Sequence, residues 1–312
     1  MRKTINRSGQ EIPYYSFGEY LRSKFKKRVR RISINAGFSC PQIDEREENV
    51  PCIFCNEKAF SHYSGTSFSI KEQIKQTIEV FKERSKTEKF VAYFQNGTNT
   101  YADLKALKKA YDYIKFFPDI VGLFVSTRPD CIDSEKLDLI ESYAARYDVW
   151  IEYGLQTTSE ETLKYLGRNH TFSDSLAAIR ETQKRKIKIG VHIILGLPGE
   201  TEIDIMRTAE IVAGLPISGI KFHVLHVLKN TKLQKLFENG KIKLLSRENY
   251  IKLVCDFIER QNPECVILRL VSGAKKDVLI GPDWINEKAK TIQMIEDEFK
   301  KRGTRQGSRY GQ

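Results

Sequence analysis

Cys40, Cys52 and Cys55 lie in the segment "NAGFSCPQIDEREENVPCIFCNEKAF" (35–60), directly after a basic, β-branched run. Thiolates are strong ligands for zinc and for iron–sulfur centres, and a structural zinc site normally closes with four of them or with histidine. Three thiolates leave one coordination position for something else. A closed Cys3His zinc site completed by His62 is the plainer alternative. Cys131, Cys255 and Cys265 have no ligand spacing and read as buried structural thiols.

What must position the first three thiols is a regular alternation of short apolar runs and longer amphipathic stretches. The runs are 28–36, 89–96, 120–128, 147–156, 187–196 and 219–228. Between them lie helical patterns such as "SIKEQIKQTIEVFKERSK" and "TFSDSLAAIRETQKRK", the latter capped by Thr171 or Ser173. Near-continuous apolar strands separated by helices mean a parallel sheet covered by helices. Six units in series, with cysteines where a dinucleotide-binding glycine loop would stand, fit a partial or full parallel β/α barrel. That α/β core spans 28–230, after a basic, aromatic N-terminal segment (1–27) and before a C-terminal α/β extension with a basic tail (231–312).

In such barrels chemistry gathers at the C-terminal ends of the strands. The first end carries the cysteines. The second carries Gln95, Asn96, Thr98, Asn99 and Thr100, and the third "STRPD". The fourth has Glu152 and Gln156, the fifth "HIILGLPGET", and the sixth His223 and His226. Glu152 in a mostly apolar strand is costly to bury unpaired, which favours a ligand-facing role. His192 reads equally as a satisfied core histidine, and strand alternation sends His223 and His226 to opposite faces.

The chain has 312 residues, 40% hydrophobic and 29% charged. No apolar run approaches the ~18 residues of a membrane span. The N-terminus lacks a signal-peptide core, so the expectation is a cytosolic protein whose cysteines are ligands or core residues and not disulfides. The net charge of +12 is concentrated in "RSKFKKRVRR" (22–31) and "KKRGTRQGSRYGQ" (300–312). With Tyr14, Tyr15, Phe25 and Tyr310 nearby, those stretches are candidates for stacking on and binding RNA.

Three cysteines after the first strand of a β/α barrel, the last two as Cys-x-aromatic-Cys, resemble the radical S-adenosylmethionine (SAM) superfamily. Its most frequent spacing is Cys-x3-Cys-x2-Cys, whereas eleven residues separate Cys40 from Cys52 here. With "GFSCP", "YFQNGTNTY", "STRPD", "GLQT", "HIILGLPGET", "KFHVLHVL" and "RGTRQGSRY", that spacing is similar to the YhcC/YtqA-like subfamily from about Tyr14 to Tyr310. One departure is the acidic "PQIDEREENVP" after Cys40, where the subfamily has an Asn-Arg-Asp-Gly-like turn.

The resemblance implies a [4Fe–4S] cluster held by Cys40, Cys52 and Cys55, with one iron left for the amino and carboxylate groups of SAM. Reductive cleavage of SAM would then yield a 5′-deoxyadenosyl radical that removes hydrogen from an inert C–H bond. It places Phe54 beside adenine, and Gln95, Thr98 and Asn99 near the SAM amino group, with "GTN" replacing the usual Gly-Gly-Glu. Glu152, Gln156 and Arg168 match positions that contact ribose, carboxylate or adenine. The implied substrate is the wobble uridine of tRNA, its 5-carboxymethylaminomethyl group remodelled to 5-aminomethyl, with flavodoxin or ferredoxin as electron donor. A radical SAM enzyme acting on a small metabolite or a tetrapyrrole is the rival reading. A non-catalytic RNA-binding protein with a structural metal is the other.

Overall fold

The computed structural model describes residues 11–43, 51–56 and 68–311. His62 and most of the acidic loop after Cys40 fall outside these residues. Seven parallel strands form one curled sheet: β1 (Val29–Ile34), β2 (Lys89–Phe94), β3 (Ile120–Thr127), β4 (Asp148–Gln156), β5 (Lys188–Leu195), β6 (Gly219–Val224) and β8 (Val266–Arg269). They stand in that order, with β1 and β8 at the edges. The barrel is therefore the partial form. A two-stranded antiparallel ribbon, β7 (Val227–Leu228) with β9 (Leu279–Gly281), sits apart. The sixth apolar run is thus two strands, broken at Leu225 and His226, and not one from 219 to 228.

Helices α1 (Phe17–Phe25), α2 (Ile70–Ser85), α3 (Leu104–Asp112), α4 (Ser134–Glu141) and α5 (Glu160–Tyr165) occupy the first half of the chain. They are followed by α6 (Phe172–Gln183), α7 (Glu202–Ala213), α8 (Lys232–Glu238), α9 (Arg247–Glu259) and α10 (Lys288–Arg302). Ser69 with Glu72, Thr171 with Asp174 and Thr201 with Asp204 form reciprocal caps that start α2, α6 and α7. Period-two alternation splits each strand between two environments. Ile32, Ala92, Leu123, Val149, Ile189 and Ile220 face the helices in the main core. Val91, Phe124, Trp150, Val266 and Leu268 point inward. No helix among the described residues is long and apolar enough to cross a membrane.

The N-terminal end of the barrel is plugged by α1. Tyr20 meets Trp150 edge-on at 5.4 Å, and Trp150 stacks on Phe124, also at 5.4 Å. Asp148, at the start of β4, accepts hydrogen bonds from Tyr20 (2.6 Å), Trp150 (3.0 Å), Lys24 (2.8 Å) and Lys188 (2.7 Å). Part of the basic run 22–31 therefore serves as counter-ion to a buried acid. With this end filled, the cavity of the interior lies at the C-terminal strand ends.

The C-terminal tail is a strap. Gln306 accepts from the Tyr15 backbone N–H at 2.8 Å and donates to the carbonyls of Asn262 and Cys265, both at 2.7 Å. The backbone of Ile267 in β8 in turn donates to Tyr15 at 2.7 Å, so the N-terminal segment covers the edge strand. Arg302 and Arg309 pair with buried Glu259, and Arg305 lies 3.8 Å from Glu11. Tyr14 and Tyr15 are buried, Tyr14 bonding Glu296 at 3.0 Å. The expectation that these two tyrosines stack on RNA is corrected: their rings are committed to the core, while Tyr310 stays exposed. Replacing Gln306 by alanine leaves the Cys265 carbonyl and the Tyr15 N–H without their side-chain partner, while the Asn262 carbonyl keeps the Cys265 N–H, at a cost of about 2 kcal/mol. The thermal midpoint of the apo chain should fall by several degrees, and truncation after Gly303 should lower it further. An unchanged midpoint by circular dichroism would mean that the tail is not structural.

Candidate active site

The cysteine loop is fastened at several points. The Cys55 N–H donates to the Cys52 carbonyl at 2.9 Å, closing a turn between the two thiols. Ile53 donates to Leu166 just after α5 (3.0 Å) and accepts from Leu233 in α8 (2.8 Å), while the Asn56 amide donates to Lys229 at 2.9 Å. Beside Cys40, the Thr98 N–H donates to Ser39 at 3.1 Å. This close approach requires Gly97, since a Cβ there would stand 2.3 Å from the Phe38 carbonyl oxygen and φ is +69°. Two loops distant in sequence are thereby locked together.

All three thiols line one cavity at the C-terminal ends of the strands. Phe54, Gln95, Thr98, Gln156 and Arg168 line it too. Arg168 directs Nη1 towards Cys52 Sγ at 3.6 Å and donates from Nη2 to the Gly154 carbonyl at 3.1 Å. Gly154 has no room for a side chain: a Cβ would lie 2.9 Å from Gln156 Nε2 and 3.1 Å from Arg168 Nη2. Gln156 itself takes a left-handed backbone, φ 71°, at an irregularity in the β4–β5 pairing. A non-glycine residue held there costs roughly 1–3 kcal/mol, the kind of strain that collects at functional sites. Arg128 makes a bidentate pair with Asp130 (2.9 and 2.6 Å) and also holds the Arg168 carbonyl at 2.6 Å.

Below the cavity lies a buried charged layer. Glu152 is fully buried, and its Oε2 accepts from Tyr93 (2.8 Å), His192 (2.7 Å) and Lys221 (2.7 Å). Its Oε1 is 3.9 Å from Arg31 Nη1. Burial pushes the carboxyl up, but Lys221, His192 and Arg31 outweigh it and hold Glu152 well below the usual carboxylate range. Burial pulls Lys221 down to about 7 despite the opposing pull of Glu152. Lys221 also donates to the Tyr93 hydroxyl and lies over that ring. His192 is pulled down to about 4, by burial first and by Lys221 second. It is therefore neutral at physiological pH, with Nε2–H donating to Glu152.

Of the residues that the resemblance assigns to the cluster and SAM, two lie outside the cavity lining. Glu152 sits one layer beneath it, and Asn99 is buried alongside, donating to the Ser126 carbonyl at 3.0 Å with its own Oδ1 unpaired among the described residues. His223 and His226 both line the cavity, correcting the expectation of opposite faces, because β6 ends at Val224 and alternation stops there. Cys255 and Cys265 are buried thiols and Cys131 is half-buried; burial pushes all three up to about 12. Sequence reasoning missed Lys221 and Arg269 as cavity residues. Lys221 carried a faint signal, as a lone cation at an inward position of a short apolar strand. Arg269 carried none, because alternation from Val266 and Leu268 sends it outward and only the register shift between β6 and β8 sets it beside Lys221.

Among the described residues, no three His, Cys, Asp or Glu side chains are gathered closely enough to hold a single metal ion. The thiols share a cavity wall instead of forming a compact ligand set. Guanidinium groups stand beside Cys52 and near Cys40 and place positive charge there. Three thiolates with adjoining cations suit an anionic group held through several irons. Profile comparison matches residues 48–212 to the radical SAM superfamily and residues 217–301 to the radical SAM C-terminal domain. This chain belongs to the radical SAM superfamily, whose cofactors are a [4Fe–4S] cluster and SAM.

Within it the chain is similar to YtqA of Bacillus subtilis, 33% identical over 96% of this chain and 94% of that protein. YhcC of Escherichia coli is 31% identical over 95% of this chain and 94% of that protein. A shorter similarity, 27% over 175 residues, reaches the tRNA uridine(34) acetyltransferase of Methanocaldococcus jannaschii, covering 51% of this chain and 31% of that one. Among solved structures, Elp3 of Methanocaldococcus infernus shares the fold with a TM-score of 0.64 at 17% identity, over 89% of this chain and 64% of that one.

Glu152→Gln removes the counter-ion of Lys221 and Arg31 and should destabilise the apo chain by about 3–5 kcal/mol. The added change Lys221→Met should recover part of that loss. Urea unfolding tests both, and a Glu152→Gln midpoint equal to wild type would dismiss the buried ion layer as a stabilising element. His192 yields a pH prediction. Its pKa is lower when folded (about 4) than when unfolded (about 6.5), so its contribution is complete above 6.5 and is lost as pH falls towards 4. The groups facing it are Glu152, Lys221, His223 and Arg269. The melting-temperature advantage of wild type over His192→Gln should therefore shrink between pH 7 and pH 5. A constant gap would contradict the neutral assignment.

Proposed function

We propose that Cys40, Cys52 and Cys55 hold the [4Fe–4S] cluster, and that this radical SAM enzyme acts on a modified wobble uridine of tRNA, converting 5-carboxymethylaminomethyl to 5-aminomethyl. When bound, the cluster and SAM supply hydrogen-atom removal from an otherwise unreactive C–H bond. The chain's own residues bind, orient and exclude water. Arg168 and Arg128 set positive charge beside the cluster ligands. Phe54 offers an aromatic surface to adenine, while Gln95, Thr98 and Gln156 offer hydrogen bonds to the polar groups of SAM. Asn99 and Glu152 act from beneath: Asn99 fixes the second strand end to the third, and Glu152 fixes the positions of His192 and Lys221. Ile194 and Leu225 give the lining apolar patches that keep water out.

The observation that supports an RNA substrate is the 175-residue similarity to a tRNA uridine(34) acetyltransferase. The basic termini add less than their composition suggests, since Arg302, Arg305 and Arg309 face acids. To reach the cavity the wobble base would have to turn out of the anticodon stack. Reducing equivalents would come from a flavodoxin or ferredoxin, in a cytoplasm where six free cysteines persist.

The test is anaerobic reconstitution, EPR with and without SAM, and incubation with tRNA bearing the carboxymethylaminomethyl group. We expect a reduced-cluster signal that SAM shifts and Cys55→Ala abolishes, 5′-deoxyadenosine release, and 5-aminomethyluridine in the tRNA digest. A competent cluster with unchanged tRNA would discard the substrate and favour a small polyanionic metabolite. One zinc per chain and no SAM response would discard the cluster ligands.

A further inference from the structure

Arg269 ends β8 and lines the cavity, yet it makes no ion pair with a carboxylate among the described residues. Its Nη2 lies 2.8 Å from Nδ1 and 2.6 Å from Nε2 of His223, and its buried Nε has no acceptor. Burial holds His223 well below the ordinary histidine range, so the ring is neutral and supplies no compensating charge. Arg269, pulled by burial to about 10, remains a cation at neutral pH. Glu152 acts on Arg269 only through space: its Oε2 holds three donors, and its Oε1, 3.9 Å from Arg31, accepts no hydrogen bond among the described residues. Lys288 of α10 adds another positive charge within electrostatic reach.

Arg269 is half-buried with its fork facing the cavity and no carboxylate hydrogen-bonded to it among the described residues, and a cation partly withdrawn from water in that way is costly to keep unpaired. Such a group is kept where a ligand completes it. The other cavity arginine without a carboxylate, Arg168, has the Cys52 sulfur beside it; Arg269 has only a neutral imidazole. In the substrate proposed above, the carboxylate is the one anionic group on the part that must enter the cavity. Its geometry matches the planar fork of arginine.

We propose that Arg269, with His223 at its side, is a carboxylate-binding subsite that receives the carboxylate of the substrate's carboxymethylamino group. The proposal rests on the tRNA reading for the identity of that group, but the subsite is testable without tRNA. N-benzylglycine and its uncharged amide serve as probes on the full apo chain. The glycine should raise the thermal midpoint and the amide should not. Arg269→Gln should abolish the response, and Arg269→Lys should keep part of it, since the charge stays while the fork is lost. In the cluster-loaded enzyme, Arg269→Gln should lower kcat/KM on the carboxylate-bearing tRNA at least ~30-fold. SAM should still shift the EPR signal of that variant.

Equal responses to glycine and amide, or a wild-type response in Arg269→Gln, would overturn the subsite. Loss of the SAM-induced EPR shift in Arg269→Gln would also overturn it, by assigning the carboxylate to SAM. A glycine response that needs Arg269, in an enzyme inert on tRNA, would uphold the subsite and retire the tRNA substrate.

Discussion

One fully buried carboxylate organises the inside of this barrel. Glu152 on β4 receives Tyr93 from β2, His192 from β5 and Lys221 from β6, and faces Arg31 of β1. A lone carboxylate in such a place would be neutral or would unfold the site. With donors from three other strands and the Arg31 charge of a fourth, it stays ionised and fixes where those strands stand relative to one another. It also marks a boundary. Beneath it the interior is filled by Trp150, Phe124 and Tyr20; above it the interior is open. The aromatic rings and the charged layer together form the floor of the cavity that the cysteines line.

Above that boundary the cavity has two electrical characters. The thiol side has Arg128 and Arg168 close by, which set positive charge beside the sulfurs. The side built from β5, β6 and β8 carries His192, His223, Lys221 and Arg269. Its imidazoles are neutral because burial and the neighbouring cations disfavour protonation. Negative charge is thus welcome on both sides, for different reasons: thiolates from the chain on one, an incoming anion on the other.

Much of this was legible in the residues. Alternation placed the parallel strands, and the joint occurrence of cysteines, the Gln95–Thr100 stretch, Gln156 and Arg168 at strand ends pointed to one mouth. Glu152 was legible as an acid too costly to bury alone, but its partner was not. Lys221 lies 69 residues away in sequence and looks like any surface lysine until the sheet curls. Arg269 was hidden for another reason: α8, α9 and their loops separate β8 from β6, so the seventh strand read as part of an appended piece. Tyr14 and Tyr15 misled because their neighbours in sequence are basic, whereas their partners, Glu296 and Gln306, come from the other end of the chain. Contacts between such distant positions leave no local periodicity to read.

The net charge of +12 takes a different meaning in this light. Each buried acid that holds the fold is served by more than one cation: Asp148 by Lys24 and Lys188, Glu152 by Lys221 and Arg31, Glu259 by Arg302 and Arg309. Part of the basic excess is architectural, and a basic sequence is weak grounds by itself for a nucleic-acid partner. Folding that over-supplies cations to its acids had every chance to neutralise Arg168 and Arg269 as well. Among the described residues it left both facing the cavity with no carboxylate hydrogen-bonded to them. Positive charge placed there suits the anions that enter the cavity.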